Sequence, residues 1–219
     1  MLIGIIDLSK NNTNIIRVQK EDETVSLFKT NDAGLSDDEK EQLKMLNIFD
    51  PYFAEFFFSK STIIVEGDTE YTAFRKIIES NKIKYKDIHI IRARGKYTIL
   101  PIIKILKNWG KSFSILHDSD EETNIQSWPA NQLILTLVDG DTKIKLLATK
   151  KNFEYAFFTK EVTKDKPYNA YTELDKPEIL KKVSSLLDYL SGINNILDIT
   201  VQDCVREYKT IDELKEFLK

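Results

Sequence analysis

Cysteine occurs once in this sequence, at Cys204, histidine twice, proline five times and glycine seven times. A lone thiol forms no internal disulfide, and nothing in the spacing of Cys and His resembles a zinc cluster. A reducing cytoplasm is the expected setting. No apolar run reaches membrane-spanning length, and the opening MLIGIIDLSKNN lacks the basic flank and cleavage site of a secretory leader, so no membrane partner is expected. Neither sign of charge dominates. A net charge of -3 argues against coating nucleic acid by bulk electrostatics, yet leaves room for a local basic path beside an acidic site. The phosphate loop G-x-x-x-x-G-K-[ST] is also missing, so no ATP dependence can be assigned to these residues.

What is present is ordinary globular material. The 219 residues, 42% hydrophobic and 31% charged, suffice for one sizeable domain, alone or with an appendage. Residues 2–30 alternate polar and apolar in short stretches broken by KNNTN and KEDET, which predicts two or three antiparallel strands. A polar linker follows, with Ser36 as a helix N-cap, and DPYFAEFFFSK is dense in aromatics. From residue 62 the rhythm becomes strand, helix, strand, helix, strand: TIIV, the helix carrying Tyr71, Phe74, Ile77 and Ile78, DIHIIRA, TILPIIKILKNWG and KSFSIL. TKIKLLA reads as a further strand, KPEILKKVSSLLDYLSG as a helix with a terminal Gly, and TIDELKEFLK as a helix with a Thr cap. Alternation of this kind predicts an α/β fold with mostly parallel pairing and right-handed crossovers. The expected division is a β-rich N-terminal segment and connector over 1–60, then an α/β domain with C-terminal helices over 61–219.

Two apolar strands end in acids: TIIV in Glu66, and FSIL in the run HDSD, with Asp118 and Asp120. A parallel sheet delivers both ends to one edge, although they lie about 50 residues apart. Converging carboxylates repel one another unless protons or divalent cations are shared between them. Oxygen donors without His or Cys companions select Mg²⁺ or Mn²⁺ rather than zinc. Glu66 and Glu70, at i and i+4, face the same way if the helix starts at the turn. Asp68, Glu121 and Glu122 read as first-turn acids favoured by the helix dipole. Arg92, Arg94 and Lys96, in RARGKY after the second strand, are candidates for phosphate contacts, with Gly95 permitting close backbone approach. His117 is expected to end its strand and support the acids by a hydrogen bond, and His89 to pack in mid-strand. Read alone, Glu154 is a solvated helix-face charge and Lys176 an ordinary residue before an N1 proline.

FFFSKSTIIVEGDTEYTAF, then RGKYTILPIIKIL, then SILHDSDEE resembles the Toprim nuclease half of the overcoming-lysogenization-defect (OLD) family, to which Gabija-type phage-defence nucleases belong. The resemblance implies a Toprim, Rossmann-like central sheet flanked by helices. It also implies a cytoplasmic, metal-dependent endonuclease acting on DNA in phage defence, and two divalent ions held by Glu66, Glu70, Asp118, Asp120 and, from KNFEYAF, Glu154. The family's catalytic Lys before a Pro at a helix start is met by Lys176 in LDKPEIL. Full-length members carry an ABC-type ATPase ahead of this domain, so an ATPase elsewhere and a homo-oligomer are the implied partners besides nucleic acid. The rival readings are a Toprim ribonuclease acting on structured RNA and a non-catalytic metal-binding subunit. Strand passage lacks a recognisable nucleophilic tyrosine. A phosphate-receiver domain would need its acidic pair at the first strand rather than the third.

Overall fold

The computed structural model describes residues 16–21, 24–50, 52–120, 124–158 and 164–219. The expected strand within residues 2–15, and Glu121 with Glu122, lie outside these. β1 (Ile16–Glu21) and β2 (Thr24–Lys29) form an antiparallel hairpin, a sheet of its own. Phe28 packs from it onto the main core. α1 (Asp37–Phe49) follows, opened by a capping box in which the Ser36 hydroxyl accepts from the Glu39 N–H and the Glu39 carboxylate accepts from the Ser36 N–H. The aromatic stretch Phe53–Phe57 makes a 3-10 turn and buries four of its five residues under the sheet.

The central sheet has the order β4 (Ile88–Arg92), β3 (Ser61–Val65), β5 (Phe113–Asp118), β6 (Ile144–Thr149), β7 (Val205–Glu207). The first four strands are mutually parallel and β7 closes the edge antiparallel to β6. This is a mostly parallel, Rossmann-like α/β sheet of Toprim type, covered on both faces. Alternate residues serve opposite layers: Ile64, Ile91, Ile115 and Leu146 join one core, and Ile63, Val65, Ile90, Leu116 and Leu147 the other. The first layer is completed by α1, α3 (Ile99–Asn108), α4 (Trp128–Val138) and α8 (Ile211–Leu218). The second takes α2 (Asp68–Ser80), α5 (Phe153–Phe158), α6 (Lys166–Glu173) and α7 (Pro177–Ser191). α7 ends at Gly192 in the left-handed region, and α8 opens on a Thr210–Glu213 capping box. Among the described residues no helix is long and apolar enough to cross a membrane.

Candidate functional site

Because β3, β4, β5 and β6 run parallel, their carboxyl ends share one edge, and a pocket of ≈ 540 Å³ opens there. Glu66, Glu70, Asp118 and Glu154 line it together with Arg94 and Lys166. All four non-glycine residues with positive φ among the described ones, Arg94, Asp120, Lys151 and Asp165, stand on the loops around this edge. Backbone strain of that kind persists only where surrounding structure over-determines it.

Each acid is placed by a different device. Glu66 follows β3 directly, and its Oε2 accepts from the Asp118 N–H at 3.1 Å, which ties two strand ends together. α2 starts at Asp68, so Glu66 lies just outside the helix and Glu70 in its first turn; the two meet across Gly67, not along one helical face. A Cβ at Gly67 would stand 3.0 Å from Glu70 Oε2, so glycine lets that carboxylate fold back against its own helix start. Asp118 ends β5, and its Oδ1 accepts from Thr149 Oγ1 at 2.8 Å and from the Phe153 N–H at 3.0 Å. Glu154, only 2% exposed, accepts from Thr69 Oγ1 at 2.8 Å and pairs with Lys166 Nζ at 3.1 Å. The solvated-face reading of Glu154 is corrected by this burial: α5 turns that residue inward.

The electrostatics follow from the crowding. Burial, then the charge of Asp118, holds Glu70 well above the ordinary carboxylate range. Burial and the neighbouring Glu66 push Asp118 up to about 8. Glu66 is raised by burial and pulled back in part by the Lys96 ammonium. Burial works against the charge of Lys166, but the hydrogen bond to Glu154 and the nearby acids outweigh it and raise its pKa. A set of carboxylates that resist ionising together, with no soft donor among them, has the donor chemistry of a hard divalent cation site. Among the described residues no group of three or more His, Cys, Asp or Glu side chains is disposed to hold a metal ion as it stands. Their oxygens are turned instead to Thr149, Thr69, backbone N–H groups and two lysines.

The remaining expected residues distribute unevenly. Asp120 faces Lys96, which pairs with it from the loop after β4. Lys96 is 4% exposed and so directs its ammonium inward. Arg92 is held by Asp68 at 3.0 Å and lies over the Tyr71 ring, which leaves Arg94 as the member of that trio lining the pocket. His117 is wholly buried and serves the acids differently from expectation. Its Nε2 meets the Tyr208 hydroxyl at 2.8 Å and its Nδ1 the main-chain carbonyl of Asp118, so no side-chain carboxylate is its partner. Lys176, the N-cap of α7, bonds Glu173 at 2.6 Å. Of the two Lys-Pro lysines, the one beside the acids is Lys166, which sequence reasoning passed over although KDKPYNA carries the same Lys-Pro helix start.

Residues 57–120 match a family model described as overcoming lysogenization defect protein-like, TOPRIM domain. The matched stretch holds β3, α2, β4, α3 and β5, and with them Glu66, Glu70, Asp118 and Asp120; Glu154 and both Lys-Pro pairs lie beyond it. No curated protein matched the chain. A Toprim domain of this type suggests nuclease-type, metal-dependent cleavage of nucleic acid, and Toprim domains generally bind divalent metals.

Proposed function

From the OLD-like Toprim domain that residues 57–120 form, we propose that this chain is a divalent-metal-dependent endonuclease hydrolysing DNA phosphodiester bonds in phage defence. The carrying observation is the convergence of Glu66, Glu70, Asp118 and Glu154 on one pocket at the carboxyl edge of the sheet. Those acids would hold the cation, which when bound supplies an activated water and stabilises the leaving oxygen. Asp118, with its carboxyl at about 8, gives up a proton to become a ligand, so cation binding at neutral pH is coupled to proton release. Thr149 and the Phe153 N–H then fix the orientation of its Oδ1. Arg94 lines the pocket and orients a phosphate there. Lys166 keeps its ammonium at the acids and offsets negative charge developing on the phosphorus oxygens, the role that the Lys-Pro pattern had put on Lys176. An ATPase acting from another domain or subunit, a homo-oligomeric state and a cytoplasmic setting belong to the same proposal.

The test is cleavage of supercoiled plasmid and of a structured RNA with Mg²⁺ or Mn²⁺, beside Glu66→Gln and Asp118→Asn. Plasmid nicking that EDTA abolishes and that each variant lowers at least about a hundredfold is the expected result. Cutting of RNA alone would make the chain a ribonuclease. Metal binding with no cutting, even after an ATPase partner is supplied, would reduce it to a metal-holding subunit.

A further inference from the structure

We propose that Lys96 is a built-in cation of this centre, its ammonium filling the position beside Asp120, so that the pocket takes one divalent ion instead of two. The inference rests on the nuclease reading only in taking the pocket as a metal centre.

Lys96 is not a surface lysine that has drifted onto an acid. It is 4% exposed, its Nζ is ion-paired to Asp120 Oδ2, and burying an ammonium is costly unless a partner of opposite charge is fixed in place. Both partners are fixed. On the lysine side, the Gly95 N–H donates to the Glu66 carbonyl at 3.0 Å and the Lys96 carbonyl accepts from the Ile99 N–H at 3.1 Å. Arg94 at φ 60 and Gly95 at φ 132 turn the chain between β4 and α3. On the acid side, Asp120 sits at φ 57, with its N–H donating to the Lys151 carbonyl at 3.2 Å. The preceding Ser119 carbonyl is held at 2.8 Å by the wholly buried side chain of Asn131, reaching up from α4. Lys166 neutralises Glu154 in the same manner but is 47% exposed, so it can yield or turn to substrate where Lys96 cannot.

The charge count points the same way. With Asp68 cancelled by Arg92, the acids Glu66, Glu70, Asp118, Asp120, Glu154 and Asp165 against Lys96, Lys166 and Arg94 leave three negative charges when all are ionised, and one dication brings the centre to one negative charge. A second dication would overshoot neutrality and place like charge against a buried ammonium. Glu66, Glu70 and Asp118 carry no lysine on their oxygens and are left for the ion.

Titration of the full chain with Mn²⁺, read by calorimetry and by the paramagnetic signal of the free ion, decides the point without reference to activity. The parent is expected to bind one Mn²⁺, with any second at least about tenfold weaker. Lys96→Met should bind two, because Asp120 is released. Lys96→Arg, which keeps the charge, should return to one, as should Lys96→Met combined with Asp120→Asn, which is neutral at both positions. Two ions of similar affinity in the parent, or a single ion in a folded Lys96→Met, would overturn the inference. If Lys96→Met does not fold, the parent's stoichiometry alone decides. No Mn²⁺ bound by the parent would instead sink the metal-centre reading, and the inference with it.

Discussion

α6 and α7 both open on a Lys-Pro pair, and the two lysines nevertheless do different work. Lys166 reaches Glu154 at the mouth of the acidic pocket, while Lys176 folds back onto Glu173, the last residue of α6. Exposure does not separate them, since they are 47% and 53% accessible. In both, proline supplies a pre-set φ at a helix start where its missing N–H costs nothing. What differs is where the helix start is delivered. α6 packs along α2, whose first turn carries Glu70, and so its opening turn lies over the strand ends. A short motif thus specifies a local conformation; its chemistry is set by the element it is packed against.

The largest effect expected from breaking this pair is on catalysis. Lys166→Met should slow plasmid nicking at least about a hundredfold, whereas Lys176→Met should stay within about threefold. Single-turnover rates under saturating Mn²⁺ distinguish the two, and the reverse order would return the role to Lys176. A smaller effect falls on stability near the Lys166 end. The Asp118 carboxyl stands at about 8, above its ordinary range, so the native state binds a proton that the unfolded chain releases at lower pH. Stability in the absence of divalent ions is therefore present in acid and is lost as pH rises from about 4 to about 8. Asp118→Asn removes that loss. Its Tm at pH 8 in EDTA should exceed the parent's by a few degrees, about 2–4 °C per kcal/mol at this chain length, and the gain should vanish toward pH 4. The smallest change belongs to the other pair. Glu173→Gln or Lys176→Met should each lower stability by about 1 kcal/mol: the ammonium is half in solvent, but the Glu173 carboxylate that it holds is only 7% exposed. Urea unfolding at one pH is enough to check it.

Much of the architecture was legible because it is written in periodicity. TIIV, FSIL and KLLA are short apolar runs of the kind that a sheet covered on both faces requires, and Ser36 and Thr210 announce helix starts by side-chain chemistry alone. Glu66 and Asp118 could be placed on one edge because parallel strands have only one carboxyl edge on which to present them. Glu154 could not be read from its surroundings. A charge between two aromatics, Phe153 and Tyr155, fits a surface helix as well as an inward one, and only packing of α5 under α2 and α7 turns it in. Lys96 looked like an exposed phosphate contact for the same reason: its burial depends on Asp120, which arrives from another strand.

By itself, then, this sequence determined its alternation of strands and helices, the parallel pairing and the edge at which a site must lie. Hydrophobic period and turn chemistry act over a few residues, and the chain satisfies them locally. The tertiary structure alone decided which of two Lys-Pro lysines meets the acids, which cation of RARGKY is turned outward and that Glu154 is buried. Those outcomes depend on groups that are distant in sequence and on a balance between burial and pairing that no single segment contains.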